Sequence, residues 1–542
     1  MDIPIKIVLF MAFPVLSTIV LLVFPARKRC YIISALLLLM SLLTLIFSRY
    51  ESLTLLGNGD IFFPLIFSVG DIYSNIARFA FSLTGALTMA YIAQKKDLIL
   101  ELAGIWAISS TILITMAENF LTLFLFWEML TITTTAIIFL KRDEEAFISS
   151  WVYLLTHLTG GLFFLLGIVI NYQSTGSLAI SNPEAGLIFF VIAIGIKTAF
   201  IPFYFWLPKA YSSASWQGSV VLSALSTKVG VYAIARILEP SLAIAYMGGI
   251  MAVFGVLMAL LQKKIRPLLS YHIISQVGYM VAGVGLGLTL SVDGALLHLL
   301  NHMLYKALLF MSAGAVIYAT GGEHLKNLGG LWKKMPVTTM AALIGSLAIA
   351  GAAPFNGFIS KTMLKYATND QGFLSILLLI ASVGTTISFC KYMYFAFFRS
   401  GETVDLDVKK VPWSLKLPMI LTSVLIVLFG VFPQILSSLA PYQSSTFVYS
   451  FSSVRDSLLI LGIGIIIFLI IKPFLNPEKL ILPQRVLIKL NQQLNKKVVL
   501  ICDFIKRGTE KEALMNSANS MWIFLFAMAF IVSGLIFTSL FL

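Results

Sequence analysis

The stretch LLHLLNHMLYKALLF, residues 296–310, has the composition of a membrane-spanning helix but carries three proton-binding side chains. His298, His302 and Lys306 follow one another at intervals of four residues. Residues at i, i+4 and i+8 lie on one face of an α-helix, so the spacing predicts a single row of titratable groups among apolar neighbours. Such groups are costly at membrane depth, and this favours a functional role for the row.

The whole chain is apolar, with 59% hydrophobic and only 11% charged residues among 542. A soluble protein of this size keeps far more polar surface, so the composition predicts an all-α polytopic protein of the cell membrane. We predict about sixteen spans, at 3–25, 30–48, 72–93, 98–117, 119–140, 147–170, 185–207, 212–237, 241–261, 268–290, 292–319, 335–366, 371–397, 412–433, 453–474 and 517–541.

The distribution of basic residues predicts the orientation of the spans. With the amino terminus outside, the loops after odd-numbered spans and the segment 472–511 hold 27 lysines and arginines. The outer ends and loops hold six, namely Lys6, Arg49, Arg78, Arg236, Lys365 and Arg455. This asymmetry is what the positive-inside rule predicts, and it places both termini outside. The net charge of +14 then indicates topology and contact with anionic lipids rather than nucleic-acid binding.

The remaining basic residues fall inside predicted spans together with one acid. They are Lys197, Lys228, Lys306, Lys361 and Lys391, and the acid is Glu128. Burial disfavours the charged form of each group, and a neighbouring charge changes proton affinity again, so such groups can load and release protons. With His298 and His302 they form a candidate proton relay. For Lys391 a second interpretation stays open, in which its side chain extends from a helix end towards water.

Two predicted spans contain helix breakers near a buried lysine. The breakers are Pro202 in GIKTAFIPFYFWLP (195–208) and Gly351, Pro354 and Gly357 in AGAAPFNGFISK (350–361). Interrupted helices at membrane depth are tolerated where they line a polar cavity, and matched pairs mark inverted repeats. The breaks fall in spans 7 and 12, an odd offset that predicts two inverted five-helix repeats at about 98–237 and 241–397. In this pairing Lys228 corresponds to Lys391.

The carboxy-terminal region follows a different pattern. An apolar stripe at helical spacing, separated by basic residues, predicts an amphipathic lateral helix within 476–514 on the cytoplasmic surface. We therefore divide the chain into amino-terminal helices with an outer loop (1–71), a core (72–433), an extra span (434–475), the lateral helix (476–514) and an anchor helix (515–542).

No cofactor or metal site is predicted in this chain. Cys30, Cys390 and Cys502 are far apart in sequence, and no Cys/His spacing indicates zinc, haem or an iron–sulfur cluster. Histidines at i and i+4 can bind a metal ion, but Lys306 one turn further would repel a cation.

These motifs resemble the antiporter-like membrane subunits of respiratory complex I. The same family includes the A and D components of Mrp Na⁺/H⁺ antiporters and the large membrane subunits of membrane-bound hydrogenases. The resemblance covers roughly residues 70–430 and is carried by FWEM (126–129), GIKTAFIPFYFWLPKAY (195–211), LSTKVGVYAIAR (225–236), HLLNHMLYKALLFMSAG (298–314) and PFNGFISK (354–361).

The resemblance implies fourteen core helices, two proton half-channels and a central hydrophilic axis. It assigns a charge pair to Glu128 and Lys197, a bridging role to Lys228 and an exit-side role to Lys361. The connecting relay would be His298, His302 and Lys306. The lateral helix resembles that of the distal complex I subunit but is shorter, with room to brace about one neighbour, which fits a smaller assembly.

Two functions remain open, and both rest on partner proteins. The first is a proton-translocating subunit of a redox complex, related to complex I, a membrane-bound hydrogenase or a sulfur reductase, whose iron–sulfur subunits lie elsewhere in the complex. The alternative is an Mrp-type Na⁺/H⁺ antiporter subunit with no redox coupling. A stand-alone solute transporter is a third class, which a substrate-sized polar pocket would favour. Whether the chain counts as part of an enzyme depends on these partners.

Overall fold

The computed structural model describes residues 5–46, 51–55, 64–69, 71–399, 408–444 and 448–478. In chain order the helices are α1 (Ile5–Val23), α2 (Arg29–Ile46), α3 (Ile72–Ile92), α4 (Leu98–Ile114), α5 (Phe120–Phe139), α6 (Glu144–Thr175), α7 (Leu187–Thr198), α8 (Trp206–Ser213), α9 (Trp216–Ile237), α10 (Leu242–Leu260), α11 (Ile265–Leu286), α12 (Thr289–Thr320), α13 (Leu331–Lys334), α14 (Pro336–Ala350), α15 (Asn356–Ala367), α16 (Phe373–Met393), α17 (Trp413–Val431), α18 (Gln434–Ser437) and α19 (Phe451–Ile471). Short 3₁₀ turns lie at Phe203–Phe205 and Leu325–Asn327, and a π-helical turn lies at Tyr394–Phe398.

Most of these helices have the length and composition of membrane spans. Nine helical segments in the described part of the chain are long and apolar enough to cross a membrane, and four shorter apolar helices accompany them. The prediction of a polytopic helical membrane protein is confirmed at this level. The lateral helix predicted at 476–514, from residue 479 onward, and the anchor predicted at 515–542 lie outside the described residues.

Helix α12 occupies the centre of the fold. It is buried along nearly its whole length and packs against α3, α9, α11, α14, α15 and α17. The helix ends at Gly321, whose φ of 73° lies in the left-handed region that glycine adopts without steric cost. Because α12 is continuous from Thr289 to Thr320, the row of histidines and lysine stays on one face.

Both predicted helix breaks interrupt a span. The first lies between the end of α7 at Thr198 and the start of α8 at Trp206, and it contains Pro202. Backbone groups freed there find partners, because the Trp206 indole donates to Ile196 O at 3.0 Å. Carbonyls released from a helix at membrane depth need such substitutes for water.

The second break lies between the end of α14 at Ala350 and the start of α15 at Asn356. Gly351 has a φ of 84° at the end of α14, and Pro354 lies within the break. Gly357, predicted as a breaker, lies in the first turn of α15 instead. There a Cβ atom would overlap the carbonyl of Ala348, so glycine permits the close contact between α14 and α15.

The expectation of an all-α fold is wrong in one place. Within the predicted outer loop, β1 (Glu51–Leu55) and β2 (Leu65–Val69) form an antiparallel pair in which Leu53 faces Phe67. Phe67 is fully buried, and Ile66 N donates to Thr122 Oγ1 at the start of α5. The hairpin therefore packs its apolar face against the helices, which the span-by-span hydropathy did not predict.

Candidate functional site

The eight predicted relay residues lie on six helices of the core. They are Glu128 on α5, Lys197 on α7, Lys228 on α9, His298, His302 and Lys306 on α12, Lys361 on α15, and Lys391 on α16. Six of them are at most 1% exposed, and the charged atoms of Glu128 and Lys361 are buried although these residues keep partial exposure elsewhere. The structure therefore places every predicted group inside the protein rather than against the lipid.

The first cluster joins α5 and α7. Lys197 lies in the last turn of α7, where its Nζ donates to Thr131 Oγ1 at 2.9 Å and sits 4.8 Å from the centre of the Trp127 ring. Thr131 and Trp127 flank Glu128 on α5. The ammonium group is thus held by a hydroxyl and an aromatic face beside the carboxylate.

The Glu128 carboxylate points from α5 towards Gly161 of α6, where a Cβ atom would overlap Oε1. Among the described residues, neither carboxylate oxygen has a hydrogen-bond partner. Glu128 and Lys197 interact electrostatically without a direct ion pair. An unpaired buried carboxylate beside a lysine is a group that can bind a proton and release it as the charge on its neighbour changes.

Lys228 lies on α9 between the first cluster and α12. Its Nζ donates to the backbone carbonyl of Ser223 on the same helix, and the residue is fully buried. Lys228 interacts electrostatically with both His302 and Lys306 on α12. The bridging position that the resemblance assigns to Lys228 is therefore compatible with its surroundings.

The row on α12 has three different environments. Lys306 Nζ donates to Leu269 O of α11 at 2.8 Å. Within the described residues, both ring nitrogens of His302 lack a hydrogen-bond partner, and its ring centre lies 5.4 Å from that of Tyr305. His298 is held on both sides, with Nδ1 2.9 Å from Ser360 Oγ and Nε2 3.2 Å from Gln276 Oε1.

Helix α15 contacts the α12 row at His298. Ser360, which contacts His298, directly precedes Lys361. The Lys361 ammonium group is buried without a hydrogen-bond partner in the described structure and lies 4.9 Å from the centre of the Tyr279 ring. The helix break at Gly351 and Pro354 puts the start of α15 at this depth and so places Lys361 next to the cavity described below.

Lys391 stands apart from this connected set. Its Nζ donates to Leu260 O at 2.6 Å and to Gln262 O at 2.7 Å, at the carboxy-terminal end of α10. A cation that binds the last carbonyls of a helix stabilises that end. The structure thus gives Lys391 a structural role at a helix end, and its part in a relay stays a prediction.

Several uncharged polar residues also belong to the site, and nothing in the sequence singles them out. Tyr305 OH lies 3.2 Å from His298 Nε2 and 3.3 Å from Gln276 Oε1. On the other side, Tyr153 OH lies 2.9 Å from both Thr134 Oγ1 and Ser226 Oγ, which ties α5 and α6 to α9. Serine, threonine and tyrosine are frequent in membrane helices, so only the fold shows which of them bridge.

Two buried histidines were also missed. His157 on α6 stacks on Tyr153 with ring centres 3.9 Å apart, and it interacts electrostatically with Lys197. His272 on α11 is fully buried, and its charge would interact with those of Lys306 and Lys361. The signal was present in the sequence, because a histidine inside an apolar span is rare, but neither forms a row with other titratable groups.

The sorting of charges into loops and spans was wrong for some residues. Arg78, counted at an outer end, is 1% exposed within α3, and its guanidinium lies 5.5 Å from the centre of the Phe10 ring. Glu101 was not singled out, yet it is fully buried in α4 and pairs with Arg29, which was assigned to a loop. Arg78 and Glu101 already lay inside the predicted spans 72–93 and 98–117, so the error was to treat charges near a span end as exposed.

The arrangement is suited to proton transfer. The described residues contain no group of three or more His, Cys, Asp or Glu side chains that could hold a metal ion. Amines, imidazoles and hydroxyls instead alternate from α7 to α15, and each of these groups either binds a proton or hydrogen-bonds to one that does. Buried titratable groups on interrupted helices are typical of ion-translocating membrane proteins.

The chain belongs to the NADH:quinone oxidoreductase/Mrp antiporter transmembrane family, whose model matches residues 117–388. This match spans the first cluster, Lys228, the α12 row and Lys361. The family resemblance inferred from the sequence motifs is thereby confirmed.

Two curated relatives have similar levels of identity. An uncharacterized protein of Methanocaldococcus jannaschii is 30% identical over 365 residues, which cover 62% of this chain and 75% of the relative. The D component of the Na⁺/H⁺ antiporter of Alkalihalophilus pseudofirmus is 30% identical over 332 residues, which cover 57% of this chain and 67% of the relative.

Solved structures share the fold over most of the chain. A chain of the Mrp complex from Dietzia sp. superposes with a TM-score of 0.74 at 20% identity, covering 84% of this chain and all of that one. A chain of the membrane-bound sulfane sulfur reductase, an archaeal respiratory complex, gives 0.72 at 26% identity, covering 80% and 77%. A chain of respiratory complex I from Thermus thermophilus gives 0.68 at 24% identity, covering 80% and 99%.

Proposed function

We propose that this chain is a proton-translocating subunit of a multi-subunit membrane complex. Protons would pass from Glu128 and Lys197 through Lys228 to Lys306, His302 and His298, and on to Lys361. The observation that carries the proposal is the run of buried titratable groups on α7, α9, α12 and α15, joined at α12 and α15 by the contact of His298 with Ser360.

Repulsion between protonated lysines would move the proton from one group to the next within the chain. Lys228 and Lys306 are fully buried and interact with each other, so a proton on one amine disfavours a proton on the other. A proton that reaches Lys228 therefore favours transfer from Lys306 onward through the imidazoles. Loss of the proton from Lys197 would let Lys228 and Lys306 return to their starting protonation states. The Glu128–Lys197 interaction is therefore the proposed start of each cycle.

The driving reaction would come from partners. In the first candidate, other membrane subunits and iron–sulfur subunits elsewhere in the complex couple proton movement to electron transfer; the shared fold with a chain of the sulfane sulfur reductase supports it. In the second, the chain belongs to an Mrp-type Na⁺/H⁺ antiporter without redox coupling, which the similarity to the Alkalihalophilus pseudofirmus antiporter component supports. The cofactor of the first candidate would belong to a partner, because none is proposed in this chain.

A stand-alone solute transporter is less well supported. The cavity beside Lys361 has a volume of about 110 Å³, whereas binding sites for small organic molecules occupy about 300–1,000 Å³. Its size suits water and protons.

We also propose the membrane architecture that the sequence predicts. We infer about sixteen spans, two inverted repeats at about 98–237 and 241–397, both termini outside, and a lateral helix at 476–514 on the cytoplasmic side in contact with anionic lipids. The two breaks, after α7 and after α14, support the repeats, since each precedes a short helix and lies within ten residues of a buried lysine.

The proposal is tested with Lys306→Ala and Glu128→Gln in the native complex. Proton movement in membrane vesicles should be abolished by either substitution, while native gel electrophoresis shows an assembled complex. Lys333→Ala is the matched control, because Lys333 is exposed. Normal proton movement in both relay variants would exclude the relay. Mass spectrometry of the gently solubilised complex separates the two candidates, since only the first contains iron–sulfur subunits.

A further inference from the structure

A cavity with both apolar and polar lining lies between α15, α16 and α19, next to the end of the row of titratable groups. It has a volume of about 110 Å³ and is lined by Lys361, Lys365, Ser382, Ser453, Asp456 and Ser457 among others. A water molecule needs about 10–15 Å³ of such space, so the cavity has room for several. It lies on the side that the charge asymmetry predicts to be outer.

The inner and outer ends of the cavity carry different charges. At the inner end is the unpartnered Lys361 ammonium group. At the outer end, four residues further along α15, Lys365 Nζ pairs with Asp456 Oδ2 of α19 at 2.5 Å. Four residues of α-helix span about 6 Å along the axis, so the two lysines lie about one turn apart on the same side of α15.

Helix α19 is fixed to this cavity by polar contacts. Ser457 Oγ donates to the carbonyl of Gly351 at 2.8 Å, which satisfies a backbone group at the second helix break. The hydroxyls of Tyr366 and Ser453 lie 2.6 Å apart and join α19 to α15. The rest of α19 is mostly exposed and apolar, with Leu459 at 55% exposure. Its polar residues lie in the first two turns, where Ser453, Asp456 and Ser457 line the cavity.

We propose that α19, which lies outside the segment matched by the family model, forms one wall of the outer end of the proton route. The Asp456 carboxylate of α19 is then the last protein group that accepts the proton before it reaches the outer solution. The proposal rests on the function proposed above. The N–H bond of the Lys361 ammonium group breaks, its proton passes through water in the cavity, and an O–H bond forms on Asp456. The neutral carboxyl group then releases the proton to the outer solution, and Lys365 stabilises the carboxylate that re-forms.

Cysteine accessibility tests whether the cavity is open to water. In the native complex, with Cys30, Cys390 and Cys502 of this chain replaced by serine, Ser457→Cys and Ser382→Cys are exposed to a membrane-impermeant cationic methanethiosulfonate added on the outer side. We expect both to be labelled and proton movement to stop on labelling. Leu459→Cys, two residues away on the lipid-facing side, should not react. Failure of Ser457→Cys to react, or full proton movement after it reacts, would overturn the proposal.

Substitution of the acceptor tests its role. Asp456→Asn should cause loss of proton movement with the complex assembled and Ser457→Cys still labelled, and Asp456→Glu should restore it. Asp370→Asn, which changes an exposed carboxylate that follows α15 and does not line the cavity, should leave the rate unchanged. A wild-type rate in Asp456→Asn refutes the acceptor role. The labelling does not depend on pumping, so failure of the relay, seen as normal pumping in Lys306→Ala, is distinguishable from failure of this proposal.

Discussion

His298 Nδ1 lies 2.9 Å from Ser360 Oγ, and this contact joins α12 to α15 one residue before Lys361. The opposite ring nitrogen lies within 3.2 Å of both Gln276 Oε1 and Tyr305 OH. An imidazole can accept a proton at one nitrogen while it releases another from the second. In the proposed route, this geometry makes His298 the point at which a proton would leave the α12 row.

We predict that Ser360→Ala slows proton movement about ten-fold, which corresponds to about 1.4 kcal/mol. The substitution removes the contact with His298 and also the hydrogen bond that Ser360 Oγ accepts from Asn301 Nδ2. The hydroxyl is the contact between His298 and the helix that carries Lys361, and alanine leaves a gap of one atom. Quenching of a pH-sensitive dye in membrane vesicles measures the rate. Ser270→Ala is the control, because this buried hydroxyl donates to Arg266 O of its own helix. Equal rates in the two variants would remove Ser360 from the route.

At the first cluster, we predict that Thr131→Val slows proton movement about ten- to hundred-fold, since a hydrogen bond to a charged group contributes about 1.5–3 kcal/mol. Valine keeps the shape of threonine but cannot accept the hydrogen bond from Lys197 Nζ. Thr135→Val on the same helix removes a hydroxyl that donates to the backbone carbonyl of Thr131 and should leave the rate unchanged. If Lys197 needs no fixed position, Thr131→Val will behave like this control.

A third prediction concerns stability. Glu101 is fully buried and pairs with Arg29, so Arg29→Met leaves a buried carboxylate without its partner and should lower the free energy of unfolding by about 3–5 kcal/mol. Replacing both residues, with Arg29→Met and Glu101→Leu, should recover most of the loss. The thermal unfolding midpoint of the detergent-solubilised complex reports the change. Lys141→Met breaks a partly exposed pair with Asp143 and should have little effect; a similar loss in both single variants would contradict the prediction.

The sequence predicted features that depend on local periodicity. The row on α12 follows from four-residue spacing in a continuous apolar helix, and the breaks follow from proline and glycine within spans that are otherwise long enough to cross a membrane. These features need no knowledge of which helices pack together. The hairpin at Glu51–Leu55 and Leu65–Val69 escaped because its burial depends on packing against α5.

The connections between helices were not predictable in this way. Tyr153 and Gln276 look like ordinary polar residues of membrane helices, and only the packing of α6 on α9 and of α11 on α12 brings them into bridging positions. Arg78 shows a different error. This cation, the seventh residue of α3, was assigned to an outer helix end, but it is buried. Charge and spacing in the sequence therefore located the eight proposed relay residues, but not the polar groups that link them.

The last prediction separates the position of a titratable group from its presence. In Gly161→Ala, the new Cβ would overlap the Glu128 carboxylate, so the side chain must move although no titratable residue is removed. We expect proton movement to fall to the level of Glu128→Gln while the complex still assembles. Gly160→Ala is the matched control, because its Cβ would lie 3.3 Å from the Ile196 side chain, which can shift slightly. Normal proton movement in Gly161→Ala would show that the route tolerates a displaced carboxylate, and the input of the cycle would then have to lie elsewhere.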